Sequence, residues 1–168
     1  MKLTTLQALY VDELKNLYDA ESQLMRALPK MAKAASAPQL RTAFTDHLHQ
    51  SQVHLHRLDQ IFLRLGVGPK GSNCRAIEGL IAEGKDLLGE EAQATVMDAA
   101  LIATAQRLEH LELAGYSSLG VFARKLGHNN AADIFQEIAS EKQVTTNRLT
   151  TLAETIVSSG AHAANGRH

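Results

Sequence analysis

The residues of this chain with chemistry to do are Glu21, His47, Gln50, His54, Glu109, Glu112 and Glu141. Glu109 and Glu112 stand one helical turn apart, a spacing that puts both side chains on one helix face. The apolar series Leu101, Ala105, Leu108, Leu119 passes through Glu112. Glu21 interrupts the series Tyr10, Leu14, Leu17, Leu24, Leu28, Met31 in the same way, and Glu141 falls among Ile134, Ile138, Thr145, Leu149, Leu152 and Ile156. An unpaired buried carboxylate costs several kcal/mol, so acids turned toward a core require a cation there. Four carboxylates offset two divalent ions, carboxylates bridge ion pairs, and imidazole nitrogen suits iron, manganese or zinc. The competing reading pairs the acids with His47, His54 or Arg107, or leaves them flanking the core. The pattern has no repeated Glu-x-x-His, so the spacing alone leaves both readings open.

Positioning such groups falls to long helices. The first is expected from Thr4 or Thr5 as N-cap to about Ser36, with a kink near Pro29, which lacks a backbone donor. Ser36 is expected to cap the second helix, with Pro38 in its first turn. That helix is expected over about 39–65, with the stripe Phe44, Leu48, Ser51, Leu55, Leu58, Phe62, Leu65. His47, Gln50 and His54 flank the stripe, while His49 and His56 project toward solvent. A loop rich in glycine follows, then a shorter helix over about 74–88. The third long helix is expected over about 95–126, stopped by Gly127, and the fourth over about 130–157. An offset of 91 lays Leu17 on Leu108, Glu21 on Glu112, Phe44 on Phe135 and Gln50 on Glu141, as in a pair of related helical hairpins. The fold class is therefore all-α: a four-helix bundle with a short extra helix between the second and third long helices. One domain spans 1–158, and 159–168 is expected to be a disordered tail.

Composition agrees. The chain has 168 residues, 45% hydrophobic but only 4% aromatic and without Trp, which suits helices packed closely through alanine and leucine. Lys+Arg 17 against Asp+Glu 18 gives no basic surplus to point to nucleic acid. No apolar run approaches the roughly 20 residues of a membrane span. The charged N-terminus is unlike a signal peptide, and a single cysteine fits a reducing compartment, so a soluble cytoplasmic protein is expected. Cys74 lacks an adjacent base, and Tyr116, one turn beyond Glu112, reads as core.

The segments 17–24, 27–30, 44–48, 57–58, 74–81, 98–102, 106–112 and Gly115-Tyr116 resemble the YciF-type bacterial stress proteins. The resemblance implies a ferritin-like bundle, a di-metal centre, a dimer and a role in stress. It places Glu21, His47, Glu109, Glu112 and Glu141 at positions the family fills with the same residue types. Two departures stand out. His49-Gln50 takes the place of acids in the second helix, leaving His54 to assume part of that role, and Ser140 and Lys142 replace acids in the fourth. The expectation is a stress protein holding two iron or manganese ions, acting on oxygen or peroxide. Its alternative is a non-catalytic helical stress or interaction protein with a structural or vestigial site. A homodimer is also expected, with Val121 and Phe122 as apolar residues beyond one bundle's need.

Overall fold

The computed structural model describes residues 4–165, with side chains to residue 158. The described residues form α1 (Leu6–Ala34), α2 (Pro38–Leu65), α3 (Arg75–Leu87), α4 (Ala94–Lys125) and α5 (Asn129–Asn165), and no strand. Four long helices and a short one between the second and third match the expected architecture. Ala34 and Lys125 close the first helices of two hairpins, and Pro38 and Asn129 open the second, both at the offset of 91.

Each helix has a local reason for its ends. Thr5 caps α1, its Oγ1 accepting the Ala8 N–H at 3.1 Å. Pro29 lies inside α1, which nonetheless runs unbroken to Ala34. Gly66 ends α2 in the left-handed conformation at φ 66°. Gly127, at φ 79°, turns α4 into α5 while His128 N–H reaches back to the Ala123 carbonyl at 2.9 Å. The second N-terminus departs from expectation. Ala37, not Ser36, is the N-cap of α2 and offers no side-chain acceptor. Asp98 of α4 supplies the acceptors instead, taking the Ser36 and Ala37 N–H groups at 2.7 and 2.8 Å. A carboxylate at a helix N-terminus also meets the positive end of the helix dipole.

That bond pins the start of α4 to the α1–α2 turn. At the other end, His128 beside the start of α5 stacks on Tyr10 of α1 at 5.5 Å, and Arg64 of α2 bonds Asn130. Each long helix therefore runs antiparallel to both of its neighbours, in the order α1, α2, α5, α4 around a square. Segment 66–93, with α3 packed on α1 and α4, carries the chain along the bundle between the hairpins. α5 continues to Asn165 instead of ending near Val157. Of the tail expected to be disordered, 159–165 continues that helix, while its side chains and all of 166–168 lie outside the described residues.

The core holds Leu14, Leu17, Leu24, Phe44, Leu58, Leu101, Leu108, Leu119, Phe135, Ile138 and Leu149, all buried. α1 and α4 approach closely: a Cβ on Gly115 would come within 2.9 Å of Leu17. Among the described residues no helix is long and apolar enough to cross a membrane.

Candidate metal centre

Midway along this core the packing turns polar. Glu21 of α1, His47 and His54 of α2, Glu109 and Glu112 of α4, and Lys142 of α5 are all buried, the three glutamates completely. Each stands where helical periodicity delivers it inward. Glu21 follows Leu17 by one turn and precedes Leu24, Glu112 follows Leu108 and precedes Leu119, and Lys142 follows Ile138 and precedes Leu149.

The Lys142 ammonium is central. Its Nζ lies 2.7 Å from Glu112 Oε2, 3.2 Å from Glu21 Oε1, 3.8 Å from Glu109 Oε2 and 3.3 Å from His47 Nε2. Burial alone would strip a lysine of its proton, but Glu112, Glu21 and Glu109 outweigh that and hold Lys142 charged. The acids differ among themselves. Burial pushes Glu21 up, yet Lys142 and then His54 bring it well below the usual carboxylate range. Burial likewise pushes Glu109 up, and Lys142 and His47 bring it below that range. Three carboxylates cannot all ionise freely around one ammonium, and Glu112 yields. Burial and the neighbouring Glu21 charge push it well above its usual value.

On one side of the lysine most groups are engaged, the exception being Glu21 Oε2, which is buried without a hydrogen-bond partner. Glu21 Oε1 accepts from the Tyr116 hydroxyl at 2.9 Å and meets His54 Nδ1 at 3.0 Å. His54 Nε2 reaches Glu141 Oε2 at 2.7 Å, and Arg57 donates to Glu141 Oε1 at 2.9 Å. Glu141 is 35% exposed at the rim, so it belongs to this chain of contacts and not to the buried layer. Burial raises Glu141, but hydrogen bonds from His54 and Arg57 prevail and lower it. Gln50, half-buried, accepts from Thr145 Oγ1 at 3.1 Å and touches none of the acids through a hydrogen bond.

On the other side are His47, Glu109 and Glu112. They offer three ligand atoms within 4.8 Å of one another, every residue buried. Both Glu109 oxygens and Glu112 Oε1 are buried without a hydrogen-bond partner. His47 Nε2 lies 2.9 Å from Glu109 Oε1, yet not in hydrogen-bonding alignment. Buried polar groups are normally satisfied, so orphaned oxygens converging with an imidazole suit a cation. This donor set fits one divalent ion.

The structure thus gathers Glu21, His47, Glu109 and Glu112 around one point and sets His54 and Glu141 beside them. It leaves Gln50 at the margin and adds Lys142 and Tyr116. Arg107 takes no part and pairs with Glu83 at the surface. His49 and His56 are exposed, as expected, and Cys74 is a buried free thiol.

A family model described as a domain of unknown function (DUF892) matches residues 5–162. Protein YciF of Escherichia coli is 38% identical over 154 residues, covering 91% of this chain and 93% of that one. The crystal structure of the E. coli stress protein YciF matches with a TM-score of 0.90 at 37% identity, over 93% of this chain and 99% of that chain. YcfI from Rhodopseudomonas palustris matches at 0.86 and 39% identity, over 89% and 96% of the two chains.

Proposed function

We propose that this chain, which belongs to the DUF892 family, is a stress-response helical-bundle protein that holds iron or manganese on His47, Glu109 and Glu112. The observation that carries this reading is the set of unpartnered, fully buried carboxylate oxygens beside His47 Nε2. The similarity to a stress protein supports the physiological setting. Iron or manganese, when bound, would supply a Lewis acid and an electron exchanger for oxygen or peroxide. The chain's own part is to exclude water, to present two acids and an imidazole from facing helices, and to hold the imidazole through α2 packing.

A second reading, a non-catalytic stress protein whose ionic cluster only organises the core, draws on Lys142, which already gives Glu21 and Glu112 a cation. Metal analysis separates the two. Protein purified without chelator should contain iron or manganese, and added manganese should raise its melting temperature, because a ligand of the folded state alone stabilises it. His47→Ala should abolish that rise. Absence of metal, with neither stability nor peroxide consumption responding to added ions, would leave the non-catalytic reading in place.

A homodimer belongs to the same proposal. Val121 is 64% exposed on α4, an apolar side chain that a second copy would cover, whereas Phe122 packs against the bundle core. Sedimentation showing only monomer at high concentration would remove this part.

A further inference from the structure

We propose that the Lys142 ammonium is a built-in cation filling the place of one metal ion, so that the cluster accepts at most one divalent ion, on the His47 side. This rests on the metal reading above and restricts it. The shell around Nζ is that of a coordinated ion: Glu112 Oε2 at 2.7 Å, Glu21 Oε1 at 3.2 Å, His47 Nε2 at 3.3 Å and Glu109 Oε2 at 3.8 Å, on a side chain 1% exposed. The two nearest atoms, Glu112 Oε2 and Glu21 Oε1, are committed to the ammonium, whereas both Glu109 oxygens and Glu112 Oε1 have no hydrogen-bond partner and stay open to an ion on the His47 side. Glu21 Oε1 in particular is taken by Lys142, Tyr116 and His54 together, so Glu21 has only Oε2 left to offer and cannot bridge two ions through both oxygens.

Charge gives the same limit. Glu21, Glu109 and Glu112 are fully buried, and one buried ammonium among them leaves a deficit that a single divalent ion closes. A second divalent ion would leave excess positive charge in a low-dielectric core, where it is most expensive. The difference from a two-ion site lies in one side chain: a glutamate at position 142 would restore four acids against two ions.

The test is manganese stoichiometry by mass spectrometry after gel filtration, on wild type and Lys142→Glu, with helical content checked by circular dichroism. Wild type should carry one manganese per chain and Lys142→Glu two. Two ions in wild type would overturn the inference while leaving the metal-binding reading intact, as would one ion in a folded Lys142→Glu protein. No ion in wild type but two in Lys142→Glu would refute the functional proposal and uphold the inference. No ion in either would refute both. Should Lys142→Glu fail to fold, Lys142→Gln decides: loss of the neighbouring charge should tighten manganese binding at least tenfold, and an unchanged affinity overturns the inference.

Discussion

The two flanks of Lys142 are built from the same residue types and behave differently. On the Glu21 flank, His54, Tyr116 and Arg57 complete a chain of contacts that ends at the half-exposed Glu141. There Glu21 Oε2 is the one unpartnered carboxylate oxygen, whereas on the Glu109 flank both Glu109 oxygens and Glu112 Oε1 are unpartnered. A buried acid with a fixed cation and donors is a structural element. A buried acid that shares the same cation but has oxygens without donors is where a further cation or a proton gains most. The lesson is that burial and residue type alone do not mark a metal site. The number of unsatisfied oxygens is what separates the two flanks.

The largest effect that bears on this contrast is at the lysine. In metal-free protein, Lys142→Met should lower stability by about 3–5 kcal/mol, since removing one partner leaves buried charge uncompensated. Urea unfolding measures it. Next, manganese at a hundredfold excess over Kd should add about 2.7 kcal/mol to wild type. That gain should vanish in His47→Ala and persist in His54→Ala, even though the latter starts from a less stable protein. Equal loss in both would erase the distinction between the flanks.

Acid titration sharpens it. Glu21 is held below the ordinary glutamate value of 4.5 when folded, so its contribution is present above that pH and lost as pH falls below it. Glu112 is raised, so its contribution is present below 4.5 and is lost as pH climbs from there toward its folded value. Unfolding midpoints against pH should therefore show a shallower acid limb in Glu21→Gln, and a shallower decline above pH 4.5 in Glu112→Gln. The smallest effect belongs to the rim: Glu141→Gln should cost about 0–1 kcal/mol, as expected for a solvent-screened pair.

Much of this arrangement is legible in the sequence, and the failures have physical causes. The stripes through Leu17, Glu21 and Leu24 and through Leu108, Glu112 and Leu119 announce inward acids because helical periodicity is local. The offset of 91 likewise locates both hairpin turns. The fourth long helix misleads, because its one acid at the depth of the cluster, Glu141, lies on the edge of its stripe. The register Phe135, Ile138, Lys142, Leu149 was equally visible, but a lysine on an apolar stripe reads as a snorkelling side chain until three carboxylates are known to face it. Asp98 escapes for another reason. It caps a helix more than 60 positions away in sequence, and no local pattern reports such a bond. Which oxygens end unpartnered depends on all four helices at once and cannot be read from any one of them.

Anomalous diffraction from a manganese-soaked crystal of the wild-type protein tests the asymmetry most directly. One anomalous peak is expected, among His47 Nε2 and the Glu109 and Glu112 carboxylates, with Lys142 still beside Glu21. A peak between Glu21, His54 and Glu141, or a pair of peaks with the lysine side chain displaced from the core, would contradict it.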